Sequence, residues 1–455
     1  MIHPTLLFVF LLIFVFRFPQ TYAQKIHLRG AEIMEYDASV GGGAQRLIGN
    51  VKFVQKDMTM YCDSAYYFAK RNAFDAYGNV HVIKRNSFEV YSDFLRNKGR
   101  ENMAEFRDNV RMIDGETILY TDFLDYNMKE NSGHFYNGGK IIDSTTTLES
   151  RSGYYYPDSK TFFYKDSVVV HNEDKVMYTD TLKYNSLTEK VFFFGPTRIY
   201  DKENQLYCEN GWYDTENEIA QFNKNAVYKS KDGQKVKGDS LYYNGNVKMG
   251  KAFTNVEMFD SVENMYILGE YMEFYEEPER AFATGNTLFI YVTNNGRDSL
   301  FLHADTIYSV QMTDSTEEYR LVKAYYKAKI YRDDFQAKCD SLVYSFKDSI
   351  IQMHGEPVLW SEENQITSEY MEVLTKNNRI YRFDLYNSAF IVSQEDTIRF
   401  NQIKGANMMG HIRNANELYR IDVFKNGETI YFPEDDDGMI GVNKVECQDM
   451  IIYLE

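Results

Sequence analysis

The sequence predicts an all-β fold, an elongated stack of strand–turn–strand repeats of about 29 residues. Three observations lead there. The chain of 455 residues carries 38 Tyr and 32 Phe against only 7 Pro, and aromatic side chains suit a pleated, half-buried surface. A short motif recurs at a nearly fixed interval along it. Apolar residues alternate with polar ones at period two, and no segment sustains a 3.6-residue period, so helix content should be very low. The formal net charge of −17 excludes nucleic acid as a partner, because such binding needs a basic footprint to displace counterions.

The chain opens on an apolar run of eleven, Leu6 to Phe16, followed by Arg17, Pro19 and Thr21-Tyr22-Ala23-Gln24. A spanning helix needs about 20 apolar residues, and a signal-peptide core 7–15. Residues 1–23 therefore read as a signal peptide, although Met1–Thr5 lack a basic residue other than His3. Its removal takes away Arg17 and leaves a net charge of −18. The expected location is the space outside the inner membrane.

The repeat is a small residue, an acid, any residue, an apolar residue, any residue, then an aromatic or apolar one. It appears as Cys62-Asp63-Ser64-Ala65-Tyr66-Tyr67, Ser92-Asp93-Phe94-Leu95, Thr121-Asp122-Phe123-Leu124-Asp125-Tyr126 and Thr179-Asp180-Thr181-Leu182-Lys183-Tyr184. It returns as Gly238-Asp239-Ser240-Leu241-Tyr242-Tyr243, Gly269-Glu270-Tyr271-Met272-Glu273-Phe274, Ala304-Asp305, Cys339-Asp340 and Ser368-Glu369, with weaker copies at Ser150-Arg151 and Cys208-Glu209. From Asp63 to Glu270 the acid position recurs after 30, 29, 29, 29, 29, 30 and 31 residues, and beyond it after 35, 35 and 29. A second anchor lies midway, as in Asn50-Val51-Lys52-Phe53, Asn79-Val80-His81-Val82 and Asn109-Val110-Arg111-Met112. Clusters such as Asn131-Ser132-Gly133 and Lys231-Asp232-Gly233 punctuate the strands. Units this small must stack to bury their apolar faces. Residues 24–290 form the regular array and 291–455 its less regular continuation.

Parity places the acid, the apolar residue two positions on and the aromatic four on along one face. An inward acid is awkward, and two resolutions stay open: a strand mouth, or a bulge at the small residue.

The motif [Ala/Gly/Cys]-Asp-x-[Leu/Ile]-x-Tyr with a preceding Gly-Asn-Val strand resembles the OstA-like superfamily. Its best-known members are the periplasmic bridge of lipopolysaccharide export (LptA) and the N-terminal periplasmic domain of the outer-membrane assembly protein (LptD). Gly49-Asn50-Val51, then Met60 through Tyr67, then Gly78-Asn79-Val80, carry the resemblance best, and longer OstA-like proteins of Bacteroidetes-type bacteria are the nearest in kind. It runs clearly from Leu47 to Gly285 and more loosely to Glu455.

The resemblance implies a twisted, incompletely closed β-jellyroll in the periplasm of a Gram-negative bacterium, with outer-membrane association left open. The interior would hold lipopolysaccharide acyl chains, with sugars and phosphates outside. The implied groove lining is Val51, Phe53, Ala65, Tyr67, Val80, Val82, Leu95, Val110, Met112, Leu124, Tyr126, Leu182, Tyr184, Leu241, Tyr243, Met272 and Phe274. Implied partners are lipopolysaccharide and other export proteins joined by β-strand augmentation, with head-to-tail self-association as a further mode. The final run Cys447–Glu455 reads as an open edge strand, with Met450, Ile452 and Leu454 as the partner edge. Aromatic stripes are commonly core. The residues themselves therefore leave a structural, carbohydrate- or surface-binding solenoid with a packed interior as the alternative.

Catalytic and metal chemistry has little support. Repeated carboxylates argue against one catalytic pair, and an enzyme on a β-helical scaffold is the least favoured reading. No nucleophile elbow, phosphate loop or zinc motif occurs, and no cofactor is expected. The eight histidines show no ligand spacing, and Glu434-Asp435-Asp436-Asp437 reads as a solvated loop more readily than a calcium site. Gly41-Gly42-Gly43 leads into no helix and reads as an entry loop. Cys62, Cys208, Cys339 and Cys447 occupy the same small-residue position in distant units. With about 9.5 Å of stacking per unit they lie too far apart to bridge, so four free, mostly buried thiols are expected.

Overall fold

The computed structural model describes residues 24–37, 39–40, 43–143, 146–172, 175–202, 204–293, 299–315, 317–377, 379–413, 417–435 and 438–454. The expected signal peptide, Gly41 and Gly42 of the glycine run, Asn294-Asn295-Gly296, and Asp436 and Asp437 of the acidic run lie outside the described residues. The all-β expectation is met. Among the described residues the only helical turns are three 3-10 turns of three residues, Ala69–Arg71, Pro157–Ser159 and Gly245–Val247. The chain divides into two compact units, Met1–Lys160 and Thr161–Glu455.

In the first unit the strands Gln45–Gln55, Met58–Phe68, Ala73–Lys84, Glu89–Lys98, Met103–Asp114 and Thr117–Asn127 each pair antiparallel with the next. His27–Gly30 and Ile33–Tyr36 both pair onto Gln45–Gln55. Each odd-numbered long strand is interrupted midway by residues in the left-handed region: Gly49 and Asn50, Gly78 and Asn79, Asp108 and Asn109. There two residues oppose one on the neighbour, so that Ile48 faces Ser64 and Val51 faces Cys62. Glycine and asparagine are the residues that take this conformation at least cost.

This double bulge settles the awkward acid. In Met58–Phe68 the buried residues are Met58, Met60 and Cys62 before the bulge position, and Ala65 and Tyr67 after it. Inward parity therefore changes at Asp63 and Ser64, and Asp63 stands outside. Its carboxylate accepts a hydrogen bond of 2.8 Å from Asn79 Nδ2 on the next strand's bulge. Asn109 donates likewise to Asp93 at 2.6 Å, and Asn225 to Glu209 at 2.9 Å. Asn255 does the same to Asp239 at 3.3 Å. The repeated acid caps the following bulge from outside, and the small residue before it fits the inside of the bend. At the copy carrying Arg151 instead of an acid, the long strands give way to shorter ones, Ser132–Phe135, Gly139–Asp143, Thr146–Ser150 and Ser152–Tyr156.

Because every strand bends along the same column, each unit consists of two layers that meet at the bend and face each other. In the first unit Phe53 of one layer stacks on Phe74 of the other at 4.1 Å. Asn97 donates to Gln55 at 3.0 Å across the same gap.

The second unit repeats the scheme with strands from Thr161–Asn172 to Arg280–Tyr291 of 10 to 12 residues. Arms then lengthen: Leu300–Thr313 has 14 residues, Glu318–Arg332 15 and Arg379–Gln394 16. The longer arms account for the gap from Asp305 to Asp340, whereas from Glu270 to Asp305 the extra residues fall in the connection between Tyr291 and Leu300. The ladder itself continues, since Tyr291 pairs directly with Leu300, and left-handed pairs recur at Tyr326-Lys327, Asn387-Ser388 and Lys425-Asn426. Layers face each other here too, with Tyr291 and Phe346 at 5.1 Å and Arg320 3.7 Å from Asp260.

All four cysteines are free; Cys62, Cys208 and Cys339 are buried and Cys447 is exposed. The last strand, Asn443–Tyr453, pairs with Glu417–Tyr431. No second partner strand lies along it among the described residues. Met450, Ile452 and Leu454 turn inward and pack on the core, while Ile451 and Tyr453 point out, 55% and 69% exposed.

Candidate functional site: the inward apolar rows

Each layer presents two inward rows, one beside the bend and one nearer the open side. In the first unit the outer inward row of one layer runs Phe53, Met60, Val82, Val90, Met112, Leu119 across successive strands. The facing row runs Tyr67, Phe74, Asn97, Ala104, Tyr126. No member of either row is more than 8% exposed. Polar contacts join the two rims opposite the bend. Lys84 Nζ donates to Tyr126 Oη at 2.9 Å and also reaches Asn131. Lys160 Nζ lies 2.6 Å from an Asp114 carboxylate oxygen, which Tyr155 also meets. This interior is closed.

The second unit differs over residues 175–275. One wall's row is Met177, Ile199, Leu206, Tyr228, Val236, Met258, Ile267, in consecutive cross-strand register. The other is Tyr184, Val191, Tyr213, Ala220, Tyr243, Gly250, Phe274. These side chains face inward, yet Met177, Ile199, Leu206, Tyr228 and Met258 on one wall and Tyr184, Val191, Tyr213, Tyr243 and Phe274 on the other are only half-buried. Beside the bend the floor is shut by Phe193 and Cys208 (both 0% exposed), Ala226 and Val256. The result is an apolar trough with a sealed floor and an accessible mouth. Burial raises the hydroxyl pKa values of Tyr213 and Tyr228, and that of Tyr243 to about 12 with help from nearby Glu276. They stay neutral phenols at physiological pH. From Ala281 onward the interior closes again around Phe289, Leu302 and Ile307.

The structure turns all the sequence-predicted lining residues inward. Val51, Phe53, Ala65, Tyr67, Val80, Val82, Leu95, Val110, Met112, Leu124, Tyr126, Leu182, Leu241 and Met272 are buried. Tyr184, Tyr243 and Phe274 lie in the accessible trough. Reasoning from the acid motif missed Met177, Ile199, Leu206, Tyr213 and Tyr228. Alternation within Lys175–Lys229 marks them as inward, but nothing in the sequence says which inward rows stay half-buried. No group of three or more His, Cys, Asp or Glu side chains suited to a metal occurs among the described residues, nor does any helix there have the length and apolarity to cross a membrane.

No curated protein matches the chain. Residues 23–176 and 165–235 match the family described as OstA-like protein. The matched stretch covers the first unit's bulge-and-acid column and the first strands of the trough. From residue 23 to residue 235, the chain is similar to the OstA-like family.

Proposed function

We propose that the protein is a non-enzymatic lipid carrier of lipopolysaccharide export that holds acyl chains in the trough of its second unit. One observation carries the reading: two inward rows free of charged side chains keep at least one half-buried side chain on each of seven successive strands. An apolar trough of this kind gives acyl chains the contact they lose on leaving a membrane. Similarity to the OstA-like family supports lipopolysaccharide as the lipid and the periplasm as the place. Edge-to-edge docking onto other export proteins would use Asn443–Tyr453, whose outer edge is unpaired among the described residues.

The test is photo-crosslinking to lipopolysaccharide from Leu206 and Tyr228, with buried Tyr126 and outward Lys183 as controls. Labelling concentrated at Leu206 and Tyr228 is the expected result. Equal labelling at Lys183, or none anywhere, favours a packed structural solenoid. For docking, Ile451→Pro removes an edge donor, and unchanged complex formation refutes augmentation there.

A further inference from the structure

On the outer face of the second unit, far along the chain from most of the trough strands, a shallow hollow of about 380 Å³ opens across five strands. Its floor is the sheet itself, at Ile330 and Ala337. Phe301, Tyr331 and Trp360 stand around it, and Phe301 and Tyr331 lie 6.3 Å apart at a 50° tilt. Tyr331 is 50% exposed. Trp360 Nε1 donates to Gln365 at 3.0 Å, which fixes the indole plane.

The charges beside these rings are unusual. His303, Lys329 and Lys338 sit directly opposite one another on three neighbouring strands, about 4.8 Å apart per step. Like charges in that relation are destabilising. Elsewhere on the outer faces such cations have a carboxylate within reach: Lys251 pairs with Glu273 opposite it, and Lys235, which faces Lys229, reaches Glu257 on the diagonal. Among the described residues neither Lys329 nor Lys338 is in an ion pair with a carboxylate. Lys338 instead lies over the Trp360 ring at 5.4 Å, and His303 bonds Asn286 at 2.9 Å. A protein of charge −17 with acids to spare has left both lysines without a carboxylate partner among the described residues.

We infer that this hollow binds a phosphorylated saccharide. The aromatic rings offer apolar surface to the C–H face of a sugar. The two lysines converge on its phosphate through charge-assisted hydrogen bonds, and His303 and Gln336 supply further hydrogen-bonding groups for phosphate and hydroxyls. The ligand is anionic because two lysines without a carboxylate partner stand beside the rings. This site is separate from the acyl trough and does not depend on it.

The chain has two tryptophans, so Trp212→Phe leaves Trp360 as sole fluorophore. Titrating the full chain with N-acetylglucosamine 1-phosphate should change Trp360 emission saturably, with calorimetry on the unsubstituted chain as a second reading. N-acetylglucosamine and inorganic phosphate, each alone, should bind at least about tenfold more weakly. K329Q/K338Q, both exposed and far from the core, should lower affinity at least about tenfold with unchanged circular dichroism, since each charge-assisted bond is worth roughly a decade. Inorganic phosphate binding as well as the sugar phosphate overturns the inference. So does K329Q/K338Q without effect, or no saturable signal by about 10 mM ligand, well above a millimolar site. Lipid crosslinking in the trough reads the other proposal and is untouched by these outcomes.

Discussion

Replacing Asn79 by alanine tests whether the repeated acid and the left-handed pair form one device. Asn79 sits at φ 42° after Gly78 at φ 74°, and its side chain bonds Asp63 at 2.8 Å. Holding alanine in the left-handed region costs about 1–2 kcal/mol. The lost hydrogen bond is solvent-exposed and adds under about 1 kcal/mol. A local loss of roughly 1.5–2.5 kcal/mol should speed amide exchange in Met58–Phe68 and Ala73–Lys84 by roughly 10- to 70-fold. Hydrogen–deuterium exchange by mass spectrometry reads this directly, and the copy at Asp239 and Asn255 in the same chain is the internal control. Asn79→Gly keeps the backbone and loses only the side chain, so it should produce a small change. Asp63→Ala should fall between, and D63A/N79A should match Asn79→Ala alone. Acceleration below about threefold, equal acceleration at the control copy, or additivity in the double variant would refute the coupling of acid to bulge.

Other consequences are equally open to measurement. Burial pushes the thiols of Cys62, Cys208 and Cys339 up to about 12, so a maleimide at neutral pH should add once to the native chain, at exposed Cys447, and four times after denaturation. Phe53 is fully buried and stacked on Phe74; Phe53→Ala should destabilise the first unit by about 3–5 kcal/mol, seen as global exchange or protease nicking confined to that unit. Asp422 is partly desolvated, which opposes its ionisation, but bonds from Arg420 and His411 outweigh this and hold its pKa below the usual carboxylate value. A depressed folded pKa stabilises above the ordinary value near 3.9, and the contribution disappears as pH falls through the folded one. Exchange in Glu417–Tyr431 should therefore rise below about pH 4, and Asp422→Asn should flatten that dependence.

Much of the fold was legible, because a 29-residue period states where strands turn and which copies stack. Even a missed copy was readable. Ala31-Glu32-Ile33-Met34-Glu35-Tyr36 fits the motif 31 residues before Asp63, and Glu32 caps the Gly49-Asn50 bulge through Asn50 at 2.5 Å. Parity at the acid was not legible. Alternation assumes one residue per step, and a double bulge sets two against one, so the side on which Asp63 falls depends on its neighbour's backbone. The hollow at Trp360 was hidden for a related reason. Phe301, Tyr331, Lys338 and Trp360 come from four separate strands, and only the cross-strand register brings them together.

A net charge of −17 is compatible with the proposed lipid binding, because the repeated acids stand away from the trough. Asp180, Glu209, Asp239 and Glu270 project on the outside of the bend, where Gly195, Asn225, Asn255 and Gly285 receive them. The trough lies on the other side of the same backbone, and neither of its two rows contains a charged residue. Six inter-strand steps of about 4.8 Å give those rows a run of about 29 Å. A negative surface therefore repels head groups at the bend and leaves the apolar walls electrically quiet. On the proposed function, such a device would grip lipid by its chains and not by its charged head.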